Sequence, residues 1–341
     1  MKRHLWVPLL LLASYASAQR TVVLRSQHEL SACATEGNGS AASPWTGWDS
    51  ACAWGQPGVW HAAAGHYSAP ASPSEWAVNG FALVGDGSLV TEFSFAAPDG
   101  LSILAPAYDK GVRVRVEGLA VVGGPGTANA FHFRDIHGST FRDLKATGTI
   151  SGSAFLFEGL VGGRADSLYV LRWGDGPETR FGVGIELAES GPWHPVTTFR
   201  ITNAEVRMAT RVGILLSGAS FCSVQGYSEF GARNWEVSAV HSWGNTLDAA
   251  DSESATGPEG ILLAGYGNTV MGGASTDLIR VTGFSNVIHG GVHSKVRIEP
   301  GAMQNALRDF SFDLDGVSSV DDFGVGTVIS NLHDQAKGVP R

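Results

Sequence analysis

The sequence has no cluster of lysine or arginine, and its formal net charge is −9. That excludes the basic footprint by which proteins hold nucleic acid, and it argues against a broad basic trough for a strongly anionic polymer. No apolar run is long enough to span a bilayer. Long amphipathic helical patterns are missing, and no His/Cys cluster has zinc spacing. Gly123-Gly124-Pro125-Gly126 reads as a loop and not as a phosphate cradle, because no helix follows it. Cysteine is rare, with three residues. Cys33 and Cys52 flank a Gly/Ser/Trp-rich stretch, where a disulfide is expected in an oxidising compartment. Cys222 is then the odd one, expected as a small buried side chain.

The first residues read as an export signal. Lys2, Arg3 and His4 precede the apolar run Leu5 to Ala13, and Ala16-Ser17-Ala18 gives a small-x-small cleavage site before Gln19. A signal over 1–18 places the mature chain outside the cytoplasm, extracellular or periplasmic. Its removal takes two basic residues with it and leaves the remainder more acidic still.

What is abundant is glycine, with 45 residues, set between short apolar alternations. The alternations fall into a register. One strand type, A, reads apolar-x-apolar: Phe131-His132-Phe133, Phe155-Leu156-Phe157, Ile185-Glu186-Leu187, Ile214-Leu215-Leu216, Val237, Ile261-Leu262-Leu263, Ile279-Arg280-Val281 and Val296-Arg297-Ile298. A second type, B, follows each A after a corner, with anchors Phe141, Leu168, Phe199, Val224, Leu247, Val270, Ile288 and Leu307. Asn245, Asn268, Asn286 and Asn305 each stand two residues before a B anchor, a phase that predicts a stacked corner ladder. Such a pattern predicts an all-β chain folded as a parallel β-helix solenoid, in which each coil buries its apolar face only against its neighbours. The expected division is an N-terminal opening or cap segment over 19–57, the β-helix over 58–312, and a cap or tail over 313–341.

Gly58-Val59-Trp60-His61-Ala62-Ala63-Ala64-Gly65-His66-Tyr67, followed by Phe81-Ala82-Leu83-Val84-Gly85-Asp86-Gly87 and by Val112-Arg113-Val114-Arg115-Val116-Glu117-Gly118-Leu119, resembles the opening coils of the pectate-lyase-type right-handed parallel β-helix superfamily. Ala64 stands where proline is usual there. Asn268-Thr269-Val270-Met271-Gly272-Gly273 and Ser285-Asn286-Val287-Ile288-His289-Gly290-Gly291 are also similar to coils of phage tailspikes. The resemblance implies a single-stranded right-handed parallel β-helix. It does not fix an activity, since that fold hosts lyases, hydrolases, epimerases and inert binding modules. The Arg-x-Pro-x-x-Arg element of pectate lyases and the motif series of polygalacturonases are absent.

In this register, the connections from B to A carry most of the polar and aromatic residues, where function usually sits. Glu229 with Asp251 or Glu253 is the carboxylate pair expected for glycoside hydrolysis, since groups one or two coils apart, at about 4.8 Å per step, match the required spacings. For a lyase, Arg233 or His241 is the candidate base, beside Ca²⁺ held by Asp248 and Asp251. Trp173, Arg180, Trp235 and Trp243 are the candidates for substrate binding, the tryptophans by stacking on sugar rings.

The expected function is that of a secreted carbohydrate-active protein, a polysaccharide lyase or glycoside hydrolase, with an extracellular polysaccharide as partner. A non-catalytic polysaccharide-binding or adhesive surface protein is the alternative, and a tailspike-like receptor-binding protein a third. The chain is expected as a monomer or a homotrimer, with neither nucleic acid nor a membrane span.

Overall fold

The structure, a computed structural model, describes residues 21–24, 59–69, 71–72, 76–170, 180–239, 241–312, 319–334 and 339–340. The export signal, the Cys33–Cys52 pair and Trp173 lie outside the described residues.

The chain winds as a single-stranded right-handed parallel β-helix with three sheets rather than two. Sheet A stacks Asp99–Leu104, Asn129–Arg134, the end of Thr140–Glu158, Arg180–Ala188, Val212–Leu216, Arg233–Val237 and Ile261–Leu263, then the ends of Ala274–Val281 and Val292–Ile298, and last Ser319–Asp322. The strand after each corner is bent, and its two halves belong to sheets B and C. Arg164–Val170, Arg200–Arg207, Ser223–Glu229 and Thr246–Glu253 are the central members. In several coils the bend is made by a single residue in left-handed conformation, with φ of 68° at Gly118, 49° at Asp143, 61° at Ser167 and 54° at Asn203. Gly, Asn and Asp tolerate this conformation best, which accounts for three of the four. Glu205, Arg207, Glu229, Asp251 and Glu253, expected in B-to-A loops, therefore lie in strands of sheet C.

Alternation of side chains across each strand fills the tube. Leu101, Phe131, Phe155, Ile185, Ile214, Trp235, Ile261, Ile279 and Val296 form one inward column of sheet A, every member buried. Phe131 and Phe155 stack with centroids 4.7 Å apart. His132, Leu156, Glu186, Leu215, Leu262, Arg280 and Arg297 share the outward column, as the alternation predicts. The inward column of sheet B is Phe141, Ala165, Ile201, Val224, Leu247, Val270, Ile288 and Leu307. Two of the expected anchors are displaced from it. Leu168 belongs to sheet C, between Leu144 and Ala204, and Phe199 lies at the corner before the strand.

The asparagine ladder is present and fully buried. The Asn245 N–H donates to Asn268 Oδ1 (3.0 Å), the Asn268 N–H to Asn286 Oδ1 (2.9 Å) and the Asn286 N–H to Asn305 Oδ1 (2.9 Å). Each side-chain amide also donates to a carbonyl of the preceding corner, as Asn245 does to Ala219 O at 2.8 Å. Cys222 heads the column: its N–H donates to Asn245 Oδ1 (3.0 Å), and its thiol lies 3.4 Å from Val196 O. Burial pushes that thiol up to about 12, so it is the inert packed side chain the sequence suggested. Beyond residue 312, Ser319–Asp322, Val328–Ser330 and His333–Asp334 continue sheets A, B and C through one more coil.

Candidate functional site

Sheet C brings the candidate acids together. Its register aligns Lys145, Tyr169, Glu205, Tyr227 and Asp251 in one row, and Arg207, Glu229 and Glu253 in the next polar row. Glu229 and Glu253 are thus direct neighbours on consecutive coils. The Tyr227 hydroxyl donates to Glu229 and stands 3.2 Å from Glu253 Oε2. Arg207 places Nη1 3.0 Å from Glu229 Oε1 and Nε 2.8 Å from Glu205 Oε1, while its guanidinium lies 5.8 Å from the Tyr227 ring centre. Glu229 is buried and Glu253 exposed. Burial, then hydrogen bonding and charge from the two glutamates, push the Tyr227 hydroxyl far above the ordinary phenol range. It remains a donor, since losing its proton would put three negative charges together.

Asp251 is beside Tyr227 in register, but its Oδ1 accepts the Ala274 N–H at 2.8 Å. Asp248 lies across the left-handed residue Ala249, whose φ is 46°. Among the described residues no group of three or more His, Cys, Asp or Glu could hold a metal ion. Asp248 and Asp251 therefore belong to no carboxylate cluster of the kind that Ca²⁺ binding draws on.

Arg233 is placed elsewhere, on sheet A. Its guanidinium is gripped by Glu236 and by the buried Glu259, while Arg280, Glu299 and Arg297 extend the ion-pair chain along the outer face. An arginine held by two carboxylates stays charged and cannot accept a proton, which removes it as a base. Trp235 is 0% exposed and donates its indole N–H to Asp251 O at 2.9 Å. It fills the core column between Ile214 and Ile261, so it is not a sugar platform. Trp243 is half-buried at the corner, in a row that continues through Tyr266, Phe284, Met303 and Val325. Arg180 is exposed at the start of its strand, paired in register with Thr149.

Two groups were not singled out from the sequence. Tyr227 is one; the recurrence of Glu205, Tyr227 and Asp251 in one row was its only signal, and it requires the register of sheet C. His132 is the other. It is 7% exposed, with Nδ1 2.9 Å from Asp99 Oδ2 and Nε2 2.5 Å from Glu158 Oε2. Burial opposes its charge, but the hydrogen bonds and charges of the two carboxylates prevail and hold the imidazolium up to about 9. His241 has Nδ1 2.6 Å from Glu189 Oε1 and its ring 5.3 Å from that of Trp193, which is 76% exposed.

No protein-family model matches the chain, and no curated protein matches it. Among solved structures it is similar to the A-module of the mannuronan C-5 epimerase AlgE6 of Azotobacter vinelandii, at 13% identity and a TM-score of 0.51, covering 84% of this chain and 92% of that one. It is also similar to the catalytic unit of a GH87 α-1,3-glucanase of Streptomyces thermodiastaticus, at 14% identity and a TM-score of 0.45, with coverage of 86% and 67%. ORF18 of Geobacillus virus E2 matches at 12% identity and a TM-score of 0.44, covering 82% of this chain and 53% of that protein, so the chain spans about half the length of the viral protein. At these identities the likeness is one of fold, that of the right-handed parallel β-helix.

Proposed function

We propose that the protein is exported and hydrolyses glycosidic bonds in an extracellular polysaccharide, with Glu229 and Glu253 as its carboxylate pair. One observation carries this reading: the two glutamates are in register on adjacent coils and share the Tyr227 hydroxyl. Neighbouring strands lie about 4.8 Å apart, close to the about 5–5.5 Å at which a second carboxylate acts as nucleophile and configuration is retained. Glu229, held in place by Arg207 and Tyr227, attacks the sugar carbon. Glu253, open to solvent, protonates the leaving oxygen and then takes a proton from the water that frees the sugar. Elimination is less well supported. It needs a base for the proton next to a carboxylate, whereas Arg233 is held in ion pairs, Tyr227 is kept protonated, and His241 is paired with Glu189 at the corner between sheets A and B, not among the acids of sheet C. That a module of this fold is named for action on mannuronan supports a polysaccharide as substrate class.

The test is a panel of neutral and uronate-containing polysaccharides. Reducing ends are expected without the ultraviolet absorbance of an unsaturated product, and Glu229→Gln and Glu253→Gln should each lower kcat about 10²–10⁴-fold. Unsaturated product would replace hydrolysis by elimination. Glycan binding with neither product would make the protein a non-catalytic binding module.

A further inference from the structure

Sheet B carries a groove of about 390 Å³ on its outer face, lined among others by Glu117, Arg142, Arg164, Asp166, Arg200 and Thr202. A second hollow of about 420 Å³ adjoins it and shares Glu117 and Arg142. The floor of the second is Gly118 on Gly85, where a Cβ on Gly118 would meet Gly85 O at 2.6 Å. Arg164 and Arg200 are direct neighbours across adjacent coils, and the next residues in their row are hydroxyls, Thr140 on one side and Ser223 on the other. Like charges at such positions repel. The nearby acids do not relieve them. Asp166 Oδ1 accepts from Thr202 Oγ1 (2.7 Å) and Asn203 Nδ2 (2.8 Å), with Arg142 as the cation that acts on it. Glu117 has Arg115 at 4.0 Å. Among the described residues neither Arg164 nor Arg200 has an ion-pair partner, and both are exposed.

In an acidic chain, two adjacent and uncompensated guanidinium groups in a cavity form a site for an oxyanion, which arginine meets with paired N–H donors. We infer that this groove binds the acidic group, carboxylate or sulfate ester, of a negatively charged sugar. The inference deepens the reading of a polysaccharide-acting protein and rests on it. The same strand that starts with Arg200 and Thr202 ends with Glu205 and Arg207, so the groove and the carboxylate pair are joined by one strand that turns a corner at Asn203. A sugar held by Arg164 and Arg200 would belong to the polymer whose linkage lies at Glu229 and Glu253.

The experiment is equilibrium binding by calorimetry, using oligogalacturonates, sulfated gluco-oligosaccharides and uncharged gluco-oligosaccharides of equal length. Binding of an acidic probe is expected, weakening as salt is added. Arg164→Gln/Arg200→Gln should lower that affinity by about tenfold or more while leaving the uncharged probe unaffected. Whichever acidic probe shows this dependence identifies the group read, carboxylate or sulfate. Equal affinity for acidic and uncharged probes, or an acidic affinity indifferent to the two arginines, would overturn the inference. Both side chains are exposed, so the variant should melt with the parent; Arg164→Gln alone replaces it if it does not. Because binding is read without turnover, an absence of hydrolysis does not count against the groove, and an inert groove does not count against hydrolysis.

Discussion

Replacing Tyr227 by phenylalanine removes one hydroxyl from between two glutamates and changes little else. A hydrogen bond to a charged group contributes about 1.5–3 kcal/mol, so Tyr227→Phe is expected to lower kcat roughly 10- to 100-fold at a cost of only a few degrees in melting temperature, checked by initial rates and thermal scans. Arg233 predicts the opposite separation. Its removal leaves Glu259, 2% exposed, with only Arg280 at 3.8 Å. Breaking such a pair from one side costs about 3 kcal/mol, so Arg233→Met should lower the denaturation midpoint while activity per folded molecule is kept. The contrast between the two residues shows what a sequence reveals at this scale. Glu229 and Glu253 were legible as a pair because their coils could be counted. Trp235 faces inward with Val237, two residues on, because side chains two apart on a strand share a face. An aromatic among charged neighbours looked like a ligand platform, but the alternation decides its direction.

At the scale of elements, the ladder corner is the part of the fold most tightly specified. Asn268 accepts the Asn245 N–H, donates its side-chain amide towards Ser242 O at 3.4 Å and its backbone N–H to Asn286 Oδ1, and so links three coils. Asn268→Ala leaves the buried Asn245 N–H unmatched, at about 1–3 kcal/mol, and also removes the side-chain contacts with Asn245 (3.0 Å) and Asn286 (3.2 Å), so urea unfolding should register a loss larger than that for Asn305→Ala at the end of the column. Cys222 makes the same two contacts as the asparagines that follow it, so Cys222→Asn is expected to be tolerated or stabilising by the same measurement. The ladder was readable because asparagine recurs at constant phase. The inward column of sheet B was only partly readable. Ala165 is too small to advertise itself beside Leu168, and Ile201 is outsized by Phe199 two residues earlier, while the left-handed residues that split several strands into sheets B and C include an ordinary serine, Ser167.

For the whole molecule, two buried histidines set opposite slopes of stability with pH. His132, held up to about 9 against an ordinary value of 6.5, contributes fully below 6.5, and its contribution is lost as pH rises through about 9. His293 is fully buried, and burial depresses it to about 4; its contribution is complete above 6.5 and is lost as pH falls towards about 4. Stability should therefore peak near pH 6.5, with denaturation midpoints falling on either side. His132→Gln should flatten the alkaline slope and His293→Asn the acid slope.

The stacked register of three sheets also bears on how such a chain can change over descent. Each coil pairs only with the one before and the one after, and the ladder spacing is 23 residues from Asn245 to Asn268 but 18 from Asn268 to Asn286. Coil length is thus free while strand phase is not. A gain or loss of one entire turn slides every later residue along the axis and leaves its facing unchanged, whereas a single-residue insertion inside a strand turns the remaining side chains inside out. Lineages of this protein should accordingly differ in length by whole turns, with smaller variations confined to the corners, and the groove and glutamate pair can be carried intact on tubes of different length.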